Sequence, residues 1–184
     1  LDWNKAYAIQ KKYFREYGTS MNGLMKLHGA DPIEFLQFVH DIDLSPVLKN
    51  PRMDLALSKL SGRKIVFTNG SIPHAERVME ALGITRHFEG VFDIVASGYR
   101  PKPNRVVYNT FIKKYGINPK NAIMVEDMAR NLLPAHEMGM CCVWVASDKD
   151  WARAGFDQDH VHHVAEDLTN WLENITKKAA TAGK

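Results

Sequence analysis

Two adjacent carboxylates, Glu126 and Asp127, follow directly on the apolar run Ile123, Met124 and Val125, and Asn131 comes one helical turn later. An apolar run bounded by turn signals reads as a buried strand of a parallel sheet. The carboxyl ends of such strands are where open α/β sheets place their ligands. Oxygen-bearing side chains gathered there suit a hard cation such as Mg²⁺. The same residues also suit a plain acidic helix start, since carboxylates favour the positive end of a helix dipole. This stretch alone leaves both readings open.

Two further polar features fall just after predicted strands. Thr68, Asn69, Gly70 and Ser71 follow Ile65, Val66 and Phe67. A hydroxyl and free backbone amides at a helix start suit a phosphate group, and a plain capping turn is the alternative. Lys102 stands between Pro101 and Pro103. The prolines stiffen its backbone, which a solvated surface lysine has little use for. In a parallel sheet all three features come to one edge. A hydroxyl, a fixed cation and a metal site in one crevice are what phosphoryl transfer requires.

The elements that must position these groups follow from periodicity. Residues 2–16 carry apolar positions at helical spacing and stop at Gly18; a second short helix covers 22–27, and Asp31-Pro32 opens a third that runs to about His40. No strand signal precedes residue 63. Thereafter strands are predicted at 64–67, 92–95, 122–125, 141–145 and about 161–164, and helices from Pro51, Pro73 and Pro103, through Leu133 and Met138 up to Gly139, and at 167–175. Strands alternating with helices predict an α/β fold: a Rossmann-like parallel sheet with helices on both faces and a small N-terminal helical unit. Residues 1–50 read as that unit, 51–176 as the α/β core and 177–184 as a frayed tail.

Composition bounds the partners. A chain of 184 residues, 45% hydrophobic and 24% charged, buries the core of one ordinary domain. Its formal charge of +3 is spread without a lysine-arginine cluster, so nucleic acid is not an expected partner. The two cysteines, Cys141 and Cys142, are sequence neighbours whose side chains point to opposite faces of a strand, so they do not pair. Free buried thiols and the lack of any long apolar run predict a cytoplasmic protein without a membrane segment. His160, His162 and His163 lack the further ligands a zinc site needs. His74, His136 and the four tryptophans read as packing or surface residues. Oligomeric state is not legible.

The motifs in order, FTNGS, RPKP and VEDMARN, resemble those of the haloacid dehalogenase-like superfamily, and the resemblance is closest to its pyrimidine 5′-nucleotidase branch. There, stretches such as YGTSMNGLMKLHGADPIEFLQFVHDID and FTNGSIPHAERVMEALGI recur with few changes, and the likeness extends over roughly residues 3–175. It implies that Thr68 binds the phosphoryl group with Asn69 and Gly70 beside it, and that Lys102 neutralises nucleophile and phosphate. It further implies that Asp127 binds Mg²⁺ with Glu126 and Asn131 in support. Residues 1–50 would form a cap, with Tyr17, Asn22 and His28 among its lining. The substrate implied is a small phosphate ester, a nucleoside 5′-monophosphate. The alternatives are a sugar-phosphate phosphatase or dehalogenase of the same fold, or a non-catalytic phosphate-binding module.

One part of the family pattern is missing. Members carry an Asp-x-Asp-x-Thr motif after a central first strand, its first Asp the nucleophile of an aspartyl-phosphate route. Asp41-Ile42-Asp43 has the spacing but follows a helical pattern and reads as a loop. About twenty residues, a strand and its connection, are expected upstream of Leu1. Without them the residues given are expected to be inactive, with an empty position between the strands near 65 and 123.

Overall fold

The structure, a computed structural model, describes residues 2–182 of the 184 and the side chains of residues 2–178. Three helices come first: α1 (Trp3–Tyr17), α2 (Ser20–His28) and α3 (Pro32–His40). Each starts at a capping side chain. Asp2 accepts from the Lys5 amide, Thr19 from Asn22, and Asp31 from both Ile33 and Glu34. These bonds satisfy amides that have no acceptor inside the helix.

Helices α1 and α2 meet at Gly23, where an added Cβ would stand 2.4 Å from Cγ of the buried Tyr13. The Tyr13 ring and its Cβ fill that space, so Gly23→Ala should cost about 1–3 kcal/mol, the range for overpacking. A urea midpoint within error of wild type would show that the two helices part freely.

The rest of the chain supplies α4 (Pro51–Lys59), β1 (Ile65–Phe67), α5 (Ile72–Leu82), β2 (Gly90–Phe92), α6 (Arg105–Tyr115), β3 (Ile123–Glu126), α7 (Leu133–Glu137), β4 (Cys141–Val145), α8 (Asp150–Arg153), β5 (His163–Ala165) and α9 (Leu168–Ala182). All strand pairs are parallel. The α/β class is as expected, but the strands form two sheets, β1-β2 and β3-β4-β5, with no ladder joining β1 to β3. The break falls between β1 and β3. Side chains on β3 alternate, with Met124 and Glu126 buried while Ile123 and Val125 are 58% and 39% exposed.

Packing holds the two sheets together without a shared ladder. Phe67 of β1 stacks on Phe111 of α6 at 4.5 Å and meets Tyr108 edge-on at 5.1 Å. Tyr108, fully buried, lies in the cluster of Leu132, Cys142 and Trp144 around β3 and β4. On the other side α4 packs on α9, where the Arg52 guanidinium bonds Glu173 and Asn170 and the Asn50 amide bonds Thr169. Met21 and Leu36 of the N-terminal helices share a cluster with Ile94 just past β2.

Several boundaries differ from the sequence expectation. β2 ends at Phe92 rather than 95 because Asp93 turns the chain, accepting from the amides of Ile72 and Ala96. α6 begins at Arg105 because Asn104, not Pro103, caps it. The helix expected through Leu133 and Met138 is the short α7, which ends at Glu137 and is preceded by a 3₁₀ turn (Ala129–Asn131). α9 runs to Ala182 through residues expected to fray; residues 183–184 lie outside those described. No helix among the described residues is long and apolar enough to cross a membrane.

Candidate active site

Lys102 lies between the ends of β1 and β3. Its side chain is 7% exposed, and Nζ donates to the Phe67 carbonyl at 2.8 Å and to Glu126 Oε2 at 2.5 Å. The ammonium also sits 4.9 Å from the centroid of the Phe67 ring. Phe67 is the last residue of β1, and the Thr68 amide bonds Phe92 on the β2 side. Successive backbone groups of a strand alternate in direction, so the Phe67 carbonyl faces the open edge. One buried cation therefore stands where a ladder between the two sheets would run.

The lysine is held by the turn after β1. Asn69 Oδ1 accepts from the Lys102 amide at 2.8 Å, and Asn69 Nδ2 donates to the Lys102 carbonyl at 3.4 Å. Asn69, expected beside the phosphate, thus clasps the lysine backbone. Thr68 Oγ1 accepts from the Gly70 amide at 2.9 Å, which folds the turn tightly over the strand end. Ser71 leaves α5 uncapped and bonds His40 Nδ1 at 2.9 Å. Buried Asp93 takes over the cap, accepting from Ile72.

Glu126 and Asp127 have different partners. Glu126 is buried, with Oε2 on Lys102 and Oε1 accepting from the Met128 amide at 3.2 Å. Burial acts to raise its pKa, but the Lys102 charge and these hydrogen bonds outweigh burial and hold it below the usual carboxylate range. Asp127 is exposed at the strand end. Crowding that strips water, then its contact with Glu126, pushes its carboxyl up to about 6. Asn131 is 2% exposed, and its Oδ1 is buried with no hydrogen-bond partner. A buried amide oxygen without a donor is costly, and a cation would answer it. A carboxylate and an amide oxygen are both ligand types that Mg²⁺ accepts, whereas both oxygens of Glu126 are engaged. No group of three or more His, Cys, Asp or Glu suited to a metal occurs among the described residues.

Of the three residues expected to line a cap, two share a cleft of about 460 Å³ with Met25 and Lys26, namely Tyr17 and Asn22. His28 is tied to the Tyr13 hydroxyl at 2.7 Å. The remaining sequence candidates are structural. His160 bonds the Ala129 carbonyl, and His162 accepts from Cys142 N–H and meets His136. Asp43 caps the turn at Ser45 and is exposed. Burial pushes the Cys142 thiol up to about 12, which leaves little thiolate for chemistry.

Sequence reasoning missed Asp93, Met25, Lys26 and Arg130. The first sits inside a run that reads as strand. Met25 and Lys26 follow Asn22 by about one helical turn, a spacing that brings side chains to one face, so Asn22 could have pointed to them.

Known proteins resemble this arrangement. The sequence model of the haloacid dehalogenase-like hydrolases matches residues 10–139, more than half of the chain. Phosphate metabolism protein 8 of Saccharomyces cerevisiae is 27% identical over 194 aligned positions, covering 97% of this chain and 55% of that protein. The chain thus spans about half the length of that curated relative. Among solved structures, the putative HAD-hydrolase YfnB of Bacillus subtilis, bound to magnesium, superposes with a TM-score of 0.62 at 14% identity, covering 95% of this chain and 81% of that one. A HAD phosphatase from Thermococcus onnurineus gives 0.60 at 16%, covering 94% and 80%. Identities this low speak for the fold alone. On the strength of the family match, this chain belongs to the haloacid dehalogenase-like hydrolases.

Proposed function

We propose that this chain forms the frame of a Mg²⁺-dependent phosphohydrolase acting on small phosphate esters, with nucleoside 5′-monophosphates as substrates. The observation that carries it is Lys102, a buried ammonium fixed at the strand ends beside the Thr68 turn. A cation held in a dry site stabilises phosphoryl oxygens far more than one in water. The Thr68 hydroxyl would donate to the phosphoryl group, with the Gly70 amide holding Thr68 Oγ1 in place, and Asn69 would keep Lys102 in register with it. Asp127 and the Asn131 amide oxygen would hold Mg²⁺, with Glu126 in support through Lys102. The cation's charge would offset that of the phosphoryl oxygens. The three N-terminal helices would serve as the cap over the substrate, with Tyr17 and Asn22 lining its cleft and His28 supporting them from Tyr13.

Hydrolysis in this reading runs through an aspartyl-phosphate. A carboxylate attacks phosphorus, the ester oxygen leaves with the electron pair and takes a proton, and water then releases phosphate. The aspartate would be carried by a strand seated between β1 and β3, where the two sheets present unjoined edges. Free Cys141 and Cys142 accord with a reducing, cytoplasmic setting.

Phosphate release from UMP or CMP with Mg²⁺, measured on the polypeptide as its gene encodes it, tests the proposal. The expected result is release that stops with EDTA. Release only from sugar phosphates would move the substrate class. No release from any ester would leave a phosphate-binding module. The dehalogenase alternative has less support, since dehalogenation needs no metal and gives no use to the carboxylate pair Glu126 and Asp127.

A further inference from the structure

Arg130 belongs to the acidic loop yet reaches away from it. It lies in the 3₁₀ turn between Asp127 and α7, and its guanidinium stacks 4.6 Å from the Phe14 ring of α1. Its Nη2 donates to the Gly18 carbonyl at 3.3 Å. No carboxylate among the described residues pairs with it. The charge is therefore spent on a helix terminus and an aromatic face, both of which favour a cation. Phe14 is itself pinned from the other side, edge-on to Trp151 of α8 at 5.8 Å.

Gly18 is a junction. It ends α1 with a φ of +81°, and a Cβ there would stand 3.1 Å from Pro101 Cγ. Pro101 precedes Lys102, so one residue of the N-terminal unit touches both candidate loops. Its amino-terminal side bears Tyr17, whose carbonyl accepts from Asn22 Nδ2 at 3.3 Å. Fixing Gly18 therefore fixes the cleft lined by Tyr17, Asn22, Met25 and Lys26.

We propose that Arg130 is a positioning residue: it docks the Tyr17–Gly18 turn onto the acidic loop and so sets the cleft of the helical unit against the Lys102 crevice. What that cleft holds rests on the nucleotidase reading; the docking itself does not. The arrangement makes the distance from phosphoryl group to leaving group a property of one arginine contact.

The test uses hydrogen exchange and ligand binding on Arg130→Met, Arg130→Lys and Gly18→Ala. Gly18→Ala disturbs the same junction without changing any residue of the acidic loop. Exchange across residues 13–22 should rise about tenfold in Arg130→Met and in Gly18→Ala, the order a charge-assisted hydrogen bond carries, while β3 and β4 stay protected. Arg130→Lys should recover part of the protection, since it keeps a donor but loses the planar stack. UMP affinity should fall about tenfold in the same two variants, with inorganic phosphate binding unchanged. Wild-type exchange in both variants would overturn the proposal. Equal loss of UMP and phosphate affinity would also overturn it, because Arg130 would then act at the phosphoryl end. If UMP fails to bind wild type, the nucleotidase reading falls and the exchange arm still decides the docking.

Discussion

Lys102→Met should destabilise the protein by about 3–5 kcal/mol at neutral pH, the cost of stranding one member of a buried ion pair. Methionine keeps the length of the side chain and much of its packing against Phe67. It leaves Glu126 Oε2 and the Phe67 carbonyl without their donor, in a site where Glu126 is 8% exposed. The pH dependence identifies the cause. In wild type the Glu126 pKa lies below its ordinary value of 4.5, so the pair contributes stability above that value and loses it as pH falls through the lower, folded pKa. In the variant, burial is opposed only by the hydrogen bonds from Asp127 and the Met128 amide, and the folded pKa moves up. Its penalty is then largest at neutral pH and shrinks as pH falls through that raised value. Urea midpoints at about pH 7 and about pH 4 measure the difference. Adding Glu126→Gln should restore most of the loss at neutral pH, since a buried amide costs less than a buried charge. An equal deficit at both pH values, unrelieved by the second change, would mean that packing and not the stranded charge is responsible.

The same pair shows how far the sequence can be read. The types were legible: an acidic strand end, a lysine between prolines and a threonine turn all mark one sheet edge, and the structure brings them there. The pairing was not. Glu126 reads as a metal-site partner of Asp127, and the two carboxyls do meet, but the main partner of Glu126 lies elsewhere. Alternation sends Glu126 inward, to a lysine 24 positions upstream. Nothing local to Asn69, which the family resemblance sets beside the phosphoryl group, reveals a backbone 33 residues away that takes both ends of its amide.

Fold errors have a common source. The run of Phe92, Asp93, Ile94 and Val95 satisfies a strand by hydrophobicity, yet Asp93 finds two amides to accept from and turns the chain. Side chains of this type compete with the ladder for backbone donors. Arg130 left no signal at all, because Gly18 is 112 positions away and arginine in a polar turn is ordinarily solvated.

Asp127→Asn should raise the stability of the metal-free protein at neutral pH and remove its response to Mg²⁺. The carboxyl, held up to about 6 against an ordinary 3.8, is more easily kept protonated in the folded state than in the unfolded chain. Its contribution is therefore fully present below about pH 4 and is lost as pH rises through about 6. Above that, Asp127 carries a charge beside the Glu126 carboxylate, and the repulsion is screened because the side chain is exposed. A screened surface charge is worth at most about 1 kcal/mol, or about 2–4 °C in a domain of this size. Thermal melts with EDTA at about pH 7.5 should show Asp127→Asn melting higher by that order, and melts at about pH 4 should coincide. Mg²⁺ at about ten times its dissociation constant should add about 1.4 kcal/mol to wild type and nothing to the variant. The wild-type gain should fade below about pH 6, where a proton occupies the carboxylate that would bind the cation. Equal stabilisation of both proteins by Mg²⁺ would place the cation elsewhere, and a variant less stable than wild type with EDTA would mean that Asp127 serves the fold rather than the metal.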